Sequence, residues 1–178
     1  LIIDAGASPV IGTTGLSLDE ITQLQARAKS KDVGGVIAPN FSISAILMMR
    51  YARDAARYLP DVEIIETHHP QKKDAPSGTA KKTAEMIASV RTSDVHDEAN
   101  CYHGVPIHSV RLTGGFAHQA VVFGNQGETL TIRHDAMSRE SMVPGLISAC
   151  RAVVSLDELY YGLESILDLS KDVTLQHR

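Results

Sequence analysis

Cysteine is nearly missing from this chain, with only Cys101 and Cys150 among 178 residues. A disulfide framework is therefore not indicated, and a reducing, cytoplasmic setting fits. No apolar run approaches the roughly eighteen residues that a membrane-spanning helix needs, and no secretory leader pattern is visible. Positive charge is not in excess: 17 Lys and Arg against 21 Asp and Glu leave a net charge of −4, which argues against a nucleic-acid surface. Any basic cluster must then be a local pocket. Internal repeats and low-complexity stretches are also lacking, and 43% hydrophobic with 21% charged residues is an ordinary globular composition.

The apolar pattern alternates between two periods. Leu1 to Ile3 and Pro9 to Ile11 read as a short buried strand ending in the glycine-rich turn Gly12-Thr13-Thr14-Gly15. Ser17 and Glu20 have capping-box spacing, and Leu18, Ile21, Leu24 and Ala28 continue as a helical stripe. Val33 to Ile37 is a second strand, ended by Ala38-Pro39-Asn40-Phe41, and Ser42 to Leu59 a long helix. Strand, helix, strand with short links predicts a parallel α/β unit. Val62 to Glu66 then reads as a strand, Thr79 to Ser89 as a helix, and Thr92 to Gly104 as a loop. Ile107 to Leu112, Gln119 to Phe123 and Glu128 to His134 read as strands, the last two joined by a hairpin at Gly124-Asn125-Gln126-Gly127. Met142 to Val154 and Leu156 to Leu167 read as helical, with Cys150 in the core.

One polar stretch stands apart, Glu66-Thr67-His68-His69-Pro70-Gln71-Lys72-Lys73-Asp74-Ala75-Pro76-Ser77-Gly78-Thr79-Ala80. If a strand ends at Thr67, both histidines line one cleft only if the chain turns, and Pro70 allows that. Pro76 suits a helix first turn, so Ser77, Gly78 and Thr79 would present backbone N–H groups and hydroxyls at a helix amino terminus. Such a terminus receives carboxylate or phosphate, and Gly78 lets the ligand come close to the backbone. Imidazole and ammonium beside it supply a proton near neutral pH. A zinc site from Cys101, His103 and His108 matches no common ligand spacing, so no metal is expected.

That stretch resembles the signature of the dihydrodipicolinate reductase family. Segments on both sides are similar as well: Val10 to Gly15 and Ala38 to Ser42 resemble the later cofactor loops, His108 to Gly145 the sheet strands and following helix, and Leu159 to Leu167 the carboxyl-terminal helix. The resemblance implies an α/β fold, with a partial Rossmann-type dinucleotide-binding domain over 1–41 and 139–178. An α+β substrate-binding and oligomerisation domain with a mixed open sheet would occupy 42–138. It implies NADH- or NADPH-dependent reduction of a cyclic dicarboxylate in lysine and diaminopimelate biosynthesis, by a homotetramer that engages neither nucleic acid nor membrane. By the same resemblance, His68 is the acid/base residue and Lys72 the proton donor. His69, Ser77, Gly78, Thr79 and Arg139 bind substrate, while Gly12, Thr13, Thr14, Ala38, Pro39, Asn40 and Phe41 line the cofactor.

The family's glycine-rich pyrophosphate loop has no counterpart in these 178 residues. The sequence therefore reads as lacking roughly the first third of such a protein. Two rival expectations follow: a cofactor-free module binding dicarboxylate or phosphate, and a metal-dependent hydrolase using the histidines. The second is disfavoured because no carboxylate stands at ligand spacing near His68 and His69.

Overall fold

The computed structural model describes residues 1–13, 16–91 and 101–167, arranged as two compact units. The first unit comprises 1–41 with 142–178 and the second comprises 42–141.

In the first unit, strands β1 (Val10–Ile11), β2 (Gly35–Ile37) and β8 (Leu159–Tyr161) form a parallel sheet in the order β1-β2-β8. Helix α1 (Leu18–Ser30) links the first two strands. It starts where the sequence demands: the Ser17 hydroxyl accepts from the Glu20 N–H, and the Glu20 carboxylate accepts from the Ser17 N–H at 2.8 Å. Its buried side chains, Ile21 and Ala28, pack with Ile3, Val33, Ile37 and Leu159 into one apolar cluster. Burying each of the larger members contributes about 1.5–3 kcal/mol. Leu18, at the outer end of the expected stripe, is exposed.

Three local expectations are corrected here. Leu1 to Ile3 is not strand: a 3-10 turn covers Ile3–Ala5. Leu156 to Leu167 is not helical throughout, because Leu159–Tyr161 is captured as a third strand beside β2 and only Leu163–Ser165 makes a 3-10 turn. Gly162, at φ 90°, separates the two in a conformation that other residues avoid. Helix α4 (Val143–Ala152) forms as expected, yet Cys150 on it is exposed, since Gly145 and Ala149 supply its buried face.

The second unit is a five-stranded mixed sheet in the order β4-β5-β3-β6-β7. These strands are β3 (Asp61–His68), β4 (Cys101–Tyr102), β5 (Val105–Arg111), β6 (Ala117–Asn125) and β7 (Glu128–Ala136). Only the β3–β5 pair is parallel. Cys101 and Tyr102, inside the expected loop, pair with Val105 and Pro106; of that loop, 92–100 lie outside the described residues. Helices α2 (Ile43–Ala55, capped by Ser42) and α3 (Gly78–Ala88, capped by Ser77) pack against the sheet. The period of two decides which residues go inward. Val62, Ile64 and Glu66 are buried while Asp61, Glu63 and Ile65 are exposed, and Gln119, Val121 and Phe123 do the same on β6. Between the helices and β6, the Gln119 amide donates to the Thr83 hydroxyl at 2.8 Å. The hairpin pairs Asn125 with Glu128: β6 runs two residues into the expected link, and β7 begins at Glu128, where that link ends.

Candidate active site

β3 runs two residues further than its apolar pattern, to His68. Parallel pairing of Thr67 with Val110 and His68 with Arg111, and antiparallel pairing of His68 with Ala117, hold that extension. Because side chains alternate, Glu66 and His68 share a face, and His68 Nδ1 lies 2.5 Å from Glu66 Oε2. The chain then turns. The Lys72 N–H donates to the His69 carbonyl at 3.1 Å, with Pro70 in the turn's second position, where its fixed φ fits. His69 Nδ1 lies 3.1 Å from Gln71 Oε1, and Lys72 Nζ pairs with Asp74 Oδ1 at 2.8 Å.

Pro76 does not occupy the first turn of α3. It follows a cis bond from Ala75 and precedes Ser77, which is the cap. Ser77 is 2% exposed: its hydroxyl accepts from the Ala80 N–H at 3.2 Å, and its own N–H donates to Glu66 Oε1 at 3.2 Å. The expectation that Ser77 offers its N–H and hydroxyl outward is thus corrected, because both are engaged inside. Gly78 is exposed, and a Cβ placed on it would meet nothing within 4 Å. Thr79 is half-buried, and its carbonyl accepts from the Thr83 hydroxyl at 2.8 Å.

Two residues that the sequence reading passed over organise this region. Glu66 is fully buried, and Arg111 from β5 grips it with NH2 on Oε1 at 2.9 Å and NH1 on Oε2 at 3.0 Å. Arg111 also donates to the Asp74 carbonyl at 2.7 Å, fixing the loop before α3. A carboxylate does therefore lie against His68, but the guanidinium occupies it. The signal for Glu66 was present, since an acidic residue in phase with Val62 and Ile64 must find a cation. Arg111, 45 positions away, carried no local signal.

Electrostatics follow from these contacts. Burial would raise the Glu66 carboxyl, but the donors Arg111, Ser109 and His68 outweigh it, and the group ends below its usual range. Burial lowers His68; Glu66 opposes that, while the Lys72 and Arg111 cations reinforce it, and the net direction is down. Lys72 holds the Asp74 carboxyl below its usual range. The structure thus brings His68, His69, Lys72 and the start of α3 into one short stretch of chain built on Glu66. Arg139 lies apart in sequence, exposed, in a 3-10 turn over Arg139–Met142. Among the described contacts none joins it to His68, Lys72 or Gly78.

In the first unit, the Ile11–Ile37 pairing sets the carboxyl ends of β1 and β2 side by side. Gly12 and Thr13 leave one strand, and Ala38, Pro39, Asn40 and Phe41 leave the other. The Ala38 N–H donates to the Ile11 carbonyl at 2.8 Å, and a Cβ on Gly12 would stand 3.0 Å from the Phe41 ring, so the two loops are packed together. Thr14 lies outside the described residues. Ligands of open parallel sheets bind outside the carboxyl ends of the strands.

Comparison with known proteins gives the family. Residues 1–41 match the family description "Dihydrodipicolinate reductase, N-terminus", a Rossmann-type domain, and residues 44–167 match "Dihydrodipicolinate reductase, C-terminus". A 4-hydroxy-tetrahydrodipicolinate reductase from Coxiella burnetii is 55% identical over 173 residues, spanning 94% of this chain and 72% of the relative. One from Halalkalibacterium halodurans is 50% identical over 179 residues, spanning 94% and 68%. The solved structure "Dipicolinate bound Dihydrodipicolinate reductase from Paenisporosarcina sp. TG-14" superposes with a TM-score of 0.80 at 47% identity, over 93% of this chain and 67% of that one. With its two-unit α/β fold and its signature stretch placed between β3 and α3, the chain belongs to the dihydrodipicolinate reductase family, oxidoreductases of lysine and diaminopimelate biosynthesis that act on 4-hydroxy-tetrahydrodipicolinate.

Proposed function

We propose that this chain carries the substrate-reducing site of a nicotinamide-dependent 4-hydroxy-tetrahydrodipicolinate reductase, with His68 as the proton-exchanging residue and Lys72 as a second proton donor. The observation that carries the reading is local: a half-buried imidazole, an ammonium and an open helix amino terminus meet within twelve residues, 68–79. A ring bearing two carboxylates needs such a place. Gly78 and Thr79, at the start of α3, receive one carboxylate through backbone and hydroxyl donors, and His69 assists. Ser77 contributes by capping the helix from inside, and Arg139 adds positive charge at longer range. The solved relative whose name records bound dipicolinate, also a cyclic dicarboxylate, supports this substrate class.

Gly12, Thr13 and Ala38 to Phe41 fit a planar nicotinamide group: the loops are short, adjacent, and formed at the carboxyl edge of parallel strands. When bound, NADH or NADPH supplies the hydride. Water leaves the 4-hydroxy ring to give a conjugated imine, and reduction of that imine builds electron density that a proton must meet. On this reading His68, supported by the Glu66 carboxylate, and Lys72 give that proton. General acid catalysis by such groups is worth roughly 10²- to 10⁴-fold. A homotetramer is proposed as well, assembled through the sheet face on which Ile65 and Val110 remain exposed; sedimentation showing only monomer at micromolar concentration refutes it.

The test is His68→Ala, and in parallel Lys72→Ala, in the full-length enzyme. Each is expected to lower kcat by about 10²-fold or more with KM little changed. A kcat equal to that of the unsubstituted enzyme removes the residue concerned from the chemistry.

A further inference from the structure

We infer that Glu66, clamped by Arg111, is a positioning residue that fixes which nitrogen of His68 is free to exchange protons and ties that ring to the start of α3. This rests on the reading of His68 as the proton-exchanging residue.

The Glu66 carboxylate is fully buried, and Arg111, Ser77, His68 and Ser109 all donate to it. Oε1 accepts from Arg111 NH2 at 2.9 Å and the Ser77 N–H at 3.2 Å, and Oε2 from Arg111 NH1 at 3.0 Å and His68 Nδ1 at 2.5 Å. A carboxylate gripped by a guanidinium at both oxygens is ionised and can only accept. The hydrogen of the neutral imidazole therefore sits on Nδ1, leaving Nε2 as the nitrogen that takes up and releases a proton. The same carboxylate holds the Ser77 N–H, so the histidine and the helix cap are registered on one anchor from strand β3. Arg111 extends the tie: it also donates to the Asp74 carbonyl, and the Asp74 side chain pairs with Lys72. Both proton carriers thus trace back to a single ion pair.

The charged groups facing His68 are few. Glu66 comes from its own strand, Arg111 from β5, and Lys72 with Asp74 from the loop that follows; opposite it on β6 stands Ala117. Glu66 is the anion in direct contact with the ring, so its removal changes both ring orientation and basicity. A merely structural ion pair would hold the fold together without dictating a tautomer.

Replacement by glutamine separates the two roles. In Glu66→Gln the amide oxygen best serves the Arg111 NH2 and Ser77 donors, which turns the amide NH₂ toward His68 Nδ1. The ring must then accept there and carry its hydrogen on Nε2. Histidine ¹⁵N spectra of the full chain are expected to show the Nδ1–H tautomer for neutral His68, and the Nε2–H tautomer in Glu66→Gln. In steady-state kinetics of the full-length enzyme, kcat is expected to fall about tenfold or more with KM within about threefold. Adding Glu66→Gln to His68→Ala is expected to cost nothing further, because the effect runs through the ring.

An Nε2–H tautomer in the unsubstituted protein overturns the inference, whatever the variant does. So does a folded Glu66→Gln protein with unaltered tautomer and kcat, or a full additional loss in the double variant. If Glu66→Gln does not fold, the tautomer of the unsubstituted protein decides by itself. The reading of His68 fails separately, through an unaffected kcat in His68→Ala, and that result leaves the tautomer measurement standing.

Discussion

Gly78 offers the sharpest separation of folding from function. It opens α3 with ordinary backbone geometry, and a methyl group added to it would touch nothing within 4 Å. Glycine in a helix costs up to about 1 kcal/mol relative to alanine, so packing alone gives no reason for glycine here. Gly78→Ala is therefore expected to leave the melting temperature unchanged or raise it, by up to about 2–4 °C for a chain of this size. Ligand binding should move the other way. The methyl would occupy the space from which a carboxylate approaches the first N–H groups of α3. Losing one charge-assisted hydrogen bond costs about 1.5–3 kcal/mol, or about 10- to 150-fold in Kd. Thermal melting combined with calorimetric titration of dipicolinate reads both quantities on the same sample. A folded Gly78→Ala protein that binds dipicolinate as tightly as before refutes the assignment of this helix start to substrate.

Gly145→Ala is the opposite case. The added Cβ would stand 2.0 Å from the Phe41 carbonyl oxygen and 2.8 Å from Leu163 Cδ2. Backbone must move, so a loss of about 1–3 kcal/mol is expected on melting, together with weaker NADH binding because Phe41 ends one of the candidate cofactor loops; a melt that does not shift sinks the packing argument. His134 makes a prediction about pH. Burial lowers its pKa, with Asp135 opposing and His118 reinforcing, and its Nε2 lies 3.2 Å from the Ser42 hydroxyl. Between the lowered value and the ordinary one near about 6.5, the unfolded chain binds more protons, so stability rises with pH. His134→Gln is expected to flatten the fall in melting temperature between about pH 7 and pH 5; an unchanged slope shows that His134 does not carry that dependence.

The sequence was informative wherever a local rule operates. The capping box at Ser17 and Glu20, the alternation along Val62, Ile64 and Glu66, and the hairpin around Gln126 and Gly127 all lie within a few residues of the contacts they make. It misled where a distant partner overrode the local pattern. Leu159 to Tyr161 look helical beside their neighbours but are held by the backbone of Gly35 to Ile37. Cys150 lies on an apolar helix yet faces outward because Gly145 and Ala149 take the inner side.

By itself, then, the chain's order of residues determined most of the elements, the inward phase of β3 and the signature stretch that carries His68, Lys72 and Gly78. Only the tertiary structure decided that β5 lies parallel beside β3, and so that Arg111 reaches Glu66. The reason is physical. Periodicity, capping and turn chemistry act over one or two turns of chain, whereas a buried carboxylate is neutralised by whichever cation the sheet order brings beside it.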